Sequence, residues 1–132
     1  MMLRSVVLLC AVGILSFRTA VGADDPLEPS AQMMRQYGMS YKQAVREARA
    51  KKERGLTVLF RLSTSRELDG MRAEIYASDI RALLDIWGDK AFAAVLRKQP
   101  ASVRRAEWRW LRDIALVEFS HRYPESLAAS YP

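Results

Sequence analysis

Polar and apolar residues alternate along most of this chain at helical spacing. Over residues 71–87, Tyr76, Ile80, Leu83, Leu84 and Trp87 recur every three or four positions, which predicts an amphipathic helix ended by Gly88. Asp89 then stands as the expected N-cap of a shorter helix through Lys98 that buries Phe92, Val95 and Leu96 and stops at Pro100. A last helix is expected over 102–119, broken by Tyr123 and Pro124. Upstream, Ser40 and Gln43 have capping-box spacing. Tyr41, Ala44, Val45 and Ala48 follow on one face, with Lys42, Arg46, Arg49 and Lys52 around the rest. Gly55 is the expected stop, because glycine accepts the left-handed geometry of a helix end. Ser30 is the expected cap of a short helix ending near Gly38.

Residues 56–63 fit two periods. Leu56, Val58, Phe60 and Leu62 alternate like a strand, whereas Leu56, Leu59, Phe60 and Leu62 fit a buried helix. No second convincing strand is present, and a lone strand leaves backbone polar groups unpaired. Helix is therefore favoured, with a strand paired across a dimer as the alternative. Residues 63–70 are polar and end in the turn signal Asp69, Gly70. The expected fold class is all-α: five or six short helices in a compact bundle or as stacked helical hairpins.

The N-terminus departs from this pattern. Arg4 precedes an apolar run of Val6, Val7, Leu8, Leu9, Cys10, Ala11, Val12, Ile14 and Leu15, and Val21, Gly22, Ala23 suit signal-peptidase cleavage. This three-part order predicts a secretory signal over residues 1–23. Arg18 interrupts the run short of the about 20 apolar residues that a spanning helix needs. A mitochondrial presequence would be amphipathic rather than uniformly apolar. Lipid anchoring through Cys10 is disfavoured by Leu9, where a small residue is wanted. Residues 24–39 read as a mobile acidic and proline-containing lead-in with that short first helix, 40–120 as the helical domain, and 121–132 as a C-terminal tail.

Cleavage after Ala23 leaves 109 of the 132 residues and removes Cys10, the only cysteine. The expected destination, periplasm or exterior, permits disulfides, yet the mature chain forms none and relies on its apolar core. Loss of Arg4 and Arg18 lowers the formal net charge from +6 to +4, far short of a nucleic-acid-binding tail. The charge is uneven: residues 35–54 carry net +5, 56–96 net −1 and 97–132 net +3.

Little in the chain suggests catalysis. His121 is the only histidine, beside a proline turn, and nothing resembles a nucleophile elbow, a zinc set or a phosphate loop. No cofactor or metal is expected. Glu74, Asp79, Asp85 and Asp89 are the only carboxylate cluster that could serve a small hydrolase. They alternate with Arg72, Arg81 and Lys90, and a solvated charged face is the simpler reading. No enzyme is expected.

The basic residues are the better candidates. Arg105, Arg109 and Arg112 form one stripe by i, i+4, i+7 spacing, suited to carboxylate or phosphate. Trp108 and Trp110 point about 200° apart on a helix, unlike the gathered aromatics of a membrane-surface helix. Val103, Ala106, Trp110, Ile114 and Val117 make the expected core stripe, with Trp108, Ala115 and Phe119 on another side. Either this helix is central and contacted from both sides, which is favoured, or Trp108 and Phe119 form a partner surface. The expectation is an exported, non-enzymatic interaction or structural module of a bacterial envelope. Its partner-binding candidates are Arg105, Arg109, Arg112, Trp108, Phe119, Lys42, Arg46 and Arg49. An acidic protein is the expected partner, with an anionic envelope polymer or membrane surface as the alternative; export argues against nucleic acid. The sequence leaves the oligomeric state open.

Overall fold

Ser30 and Ser40 set the first two helices by the same device. Ser30 Oγ accepts from Met33 N at 3.2 Å and opens α1 (Ala31–Met34), which continues as a 3₁₀ turn (Arg35–Tyr37) and ends at Gly38 with φ +70°. Ser40 Oγ accepts from Gln43 N at 3.1 Å and opens α2 (Tyr41–Arg49). The reciprocal half of the capping box is not formed, because the Gln43 amide turns to Glu47 at 3.2 Å. The computed structural model describes residues 28–114 and 122–131, all helix, turn or coil without a strand. The expected leader (1–23), Phe119 and His121 lie outside the described residues.

Gly55 does not end α2. The stop is Lys51, which takes φ +58°; Lys51 N reaches Ala48 O at 2.9 Å and Lys52 N reaches Glu47 O at 2.9 Å, closing a Schellman motif. Gly55 instead lies inside α3 (Glu53–Leu62) at its crossing with α2. A Cβ there would fall 2.5 Å from Ala44 O, 2.6 Å from Ala48 N and 2.7 Å from Glu47 Cβ. Its missing side chain permits the close approach of two backbones.

Residues 56–62 are helical. Leu56, Val58, Leu59, Phe60 and Leu62 are buried in α3, while Arg54, Thr57 and Arg61 follow one another at helical spacing on its more open face. α4 (Gly70–Trp87) is about 27 Å long. It buries Tyr76, Ile80, Leu83 and Leu84 and ends at Gly88, as the apolar stripe predicts. α5 (Asp89–Arg97) adds Phe92, Val95 and Leu96. Phe60 and Phe92 meet edge to face at 5.0 Å, and Trp87 Nε1 donates to Ala48 O at 2.8 Å, tying the end of α4 to α2. Met33, Met34 and Met39, ahead of residue 40, belong to the same core.

Two further differences concern the C-terminal third. Gly88, not Asp89, is the N-cap of α5. The Asp89 carboxylate accepts from Glu125 N at 2.8 Å and Ser126 N at 2.7 Å, and Asp89 O accepts from Ser126 Oγ at 3.1 Å. Asp89 thereby caps α7 (Pro124–Ser130), a helix where only a tail was expected, which buries Ser126, Ala129 and Ser130. This makes seven α-helices among the described residues rather than five or six. Between α5 and α7 runs α6 (Ala101–Ile114), which packs on α3 and α4 on one side and on α7 on the other.

Candidate functional site

The face of α6 toward α7 brings together Arg105, Trp108 and Arg109 of the predicted candidates. Arg105 and Arg109 lie one turn apart and exposed, with Trp108 half-buried between them. Tyr131, immediately after α7 and 65% exposed, meets the Trp108 ring edge to face at 6.1 Å. The Arg112 guanidinium carbon sits 4.7 Å from the Trp108 ring centroid, a cation–π contact worth about 0.5–1 kcal/mol at an exposed site. Ser102, Arg105, Trp108, Arg109 and Tyr131 line an open groove of about 620 Å³. Trp108 and Tyr131 also border an adjoining hollow of about 480 Å³ against Pro124, Leu127 and Ala128 of α7.

The groove depends on elements far apart in sequence. Asp89 fixes the start of α7, and Arg97 Nη2 pairs with Glu125 at 2.7 Å, so α7 and the Tyr131 that follows it are held against α5. Among the described residues, ion pairs engage Lys42, Arg49, Arg97 and Lys98 and leave Arg105 and Arg109 without a carboxylate.

The second basic cluster is built differently. Lys42, Val45, Arg46 and Arg49 line a hollow of about 380 Å³ with Glu28, Tyr41 and Asp79. Here the charge is largely answered: Lys42 faces Glu28 at 3.9 Å and Arg49 faces Asp79 at 3.7 Å, leaving Arg46. The Tyr41 hydroxyl donates to Asp79 at 2.7 Å; burial first, then this bond and the Asp79 charge, raise its pKa well above the ordinary phenol value. The two basic clusters line hollows with no residue in common. The structure thus groups Arg105, Trp108, Arg109 and Arg112, and separates them from Lys42, Arg46 and Arg49.

The acids of residues 74–89 do not converge. Asp79 serves Tyr41, Asp85 accepts from the Tyr123 hydroxyl, Asp89 caps α7, and Glu74 is exposed. Among the described residues no three His, Cys, Asp or Glu side chains stand together to hold a metal, and no helix is long and apolar enough to cross a membrane.

Sequence reasoning missed Glu107 and Tyr131. Glu107 and Leu111 are fully buried, with Val103 one turn earlier. The i, i+4, i+8 spacing of Val103, Glu107 and Leu111 was the available signal. Glu107 Oε2 lies 2.7 Å from the Tyr76 hydroxyl, which also lies 2.9 Å from Leu59 O. Burial pushes the Glu107 carboxyl up to about 8, against the lowering effect of the Tyr76 and Ser63 hydroxyls. On the same seam, Trp110 packs on Tyr76 at 5.2 Å and donates to Ser63 O at 3.3 Å. Helix α6 is therefore contacted from both sides, by α3 and α4 through Trp110 and Glu107 and by α7 beside Trp108.

Comparison with protein-family models, curated proteins and solved structures finds no match to this chain, so the site is read from its own geometry.

Proposed function

We propose that this protein is an exported, non-enzymatic interaction module that docks an acidic segment of a partner protein on the α6–α7 face. One observation carries the reading: two exposed arginines, without carboxylate partners among the described residues, flank a half-buried tryptophan whose groove is completed by an exposed tyrosine. Guanidinium forks bind carboxylates bidentately, which supplies register and charge selectivity. Trp108 and Tyr131 supply apolar area with few rotatable bonds, the composition found where interface energy concentrates. The separate structural duties of Asp79, Asp85 and Asp89 support a role without catalysis. The three-part leader supports export, with a bacterial envelope as the expected setting.

The test is capture from the protein's own envelope fraction by the mature chain, against an Arg105→Glu, Arg109→Glu variant, at rising salt. The reading expects a single protein, retained by the wild type at 0.5 M salt, where exposed charges are screened beyond about 4–5 Å, and lost from the variant. Recovery of polysaccharide or lipid alone, disappearing as salt rises, would replace it with the anionic-polymer or membrane-surface reading.

A further inference from the structure

The seam between α6 and the α3–α4 pair brings a phenol, a carboxyl and a backbone carbonyl together. The Tyr76 hydroxyl has one hydrogen but two oxygen neighbours, Leu59 O at 2.9 Å and Glu107 Oε2 at 2.7 Å. A carbonyl cannot donate. Both contacts are hydrogen bonds only when Glu107 is the neutral acid, donating to Tyr76 Oη while Tyr76 donates to Leu59 O.

Among the described residues no neighbour supplies a compensating positive charge. From α3, the Ser63 hydroxyl donates to Phe60 O at 2.5 Å; it also lies by Tyr76 and Glu107 and lowers both pKa values, but it brings no charge. From α4, Tyr76 itself is buried and its pKa is raised by burial first and then by Glu107; Asp79, one turn further, is engaged by Tyr41 and Arg49. Tyr41, from α2, donates its proton to Asp79. From α7, Glu125 pairs with Arg97. On α6, Arg105 and Arg109 are exposed, and Arg104 lies one turn before Glu107, but its buried Nε and Glu107 Oε1 are both without hydrogen-bond partners among the described residues.

We infer that Glu107 is a proton latch: as a neutral acid it fastens α6 to α3 and α4, and its ionisation loosens the helix that carries Arg105, Trp108 and Arg109. When the proton leaves to solvent, the single Tyr76 hydrogen turns to the carboxylate and Leu59 O loses its donor inside the core. A buried charge and an orphaned carbonyl then both oppose the seam. Trp110, packed on Tyr76 and bonded to Ser63 O, lies in the same seam and reports the change.

The latch is tested on the mature protein without any partner, so its failure is separate from failure of the docking reading. Carbon-detected NMR of the Glu107 carboxyl and the indole N–H signal of Trp110 are followed together from pH 5 to 9.5. The expected result is a shared midpoint about 8, with the carboxyl protonated below it. In Glu107→Gln, a neutral side chain that still donates to Tyr76, the Trp110 signal should become independent of pH. A Glu107 midpoint in the ordinary carboxylate range overturns the proposal, and so does a Trp110 signal that ignores the titration or titrates unchanged in the variant. If the glutamine variant does not fold, the wild-type carboxyl midpoint and its coincidence with Trp110 still decide.

Discussion

Substituting Gly55 by alanine separates two explanations of one residue. At a solvent-facing helical position, Gly→Ala stabilises by about 1 kcal/mol. At Gly55 the new methyl would stand 2.5 Å from Ala44 O, 2.6 Å from Ala48 N and 2.7 Å from Glu47 Cβ. These are backbone atoms and a Cβ, none of which can rotate away, so α3 must move off α2. Overpacking a tight contact costs about 1–3 kcal/mol. Three contacts at once place this site at the upper end, and after the propensity gain the net loss is about 2 kcal/mol. For a domain near 100 residues that lowers the midpoint of thermal unfolding by about 8–16 °C. Calorimetry of the mature protein and Gly55→Ala checks the value. Equal or higher stability of the variant would refute the crossing contact.

Three other substitutions probe the rest of the fold. Lys51→Gly should raise stability by about 0.5–1 kcal/mol in urea unfolding, because a lysine at φ +58° bears a strain that glycine does not. Asp89→Ala removes the acceptors of Glu125 N and Ser126 N, and a lost cap costs about 0.5–2 kcal/mol. Faster amide exchange in α7, with the α2–α3 hairpin unaffected, is the expected signature. The Glu107 carboxyl is raised in the folded state, so the native protein holds its proton after the unfolded chain has released it. Its contribution is complete below the ordinary carboxylate pKa and is lost as pH rises from there through about 8. Stability from urea unfolding should therefore fall over that window by up to about 1.4 kcal/mol per pH unit, and Glu107→Gln should flatten the slope.

Features set by neighbours in sequence were readable without coordinates. Ser30 and Ser40 act on amides three residues away, and the Tyr76, Ile80, Leu83, Leu84 stripe needs only the helical period. Features set by distant neighbours were not. A glycine that ends a helix and one that admits a second backbone look alike until α2 and α3 cross at Gly55. Asp89 has the composition and position of a local cap, yet its donors lie in α7, 36 and 37 residues away. Glu107 reads as a charge by composition; its full burial, against a Tyr76 hydroxyl that also faces Leu59 O, exists only in the fold. The arginine stripe of α6 was visible from its spacing, but the groove exists only because α7 brings Tyr131 to Trp108.

The proposed seat of the partner is the face formed by Arg105, Trp108, Arg109 and Tyr131. A photo-reactive phenylalanine placed at Tyr131 in the living source cell tests it directly, with the same residue at exposed Met71 as control. The account predicts one protein adduct from position 131, none from position 71, and loss of the adduct when Arg105 and Arg109 are changed to glutamate. Adducts formed equally from both positions, or from position 131 regardless of the arginines, would contradict it.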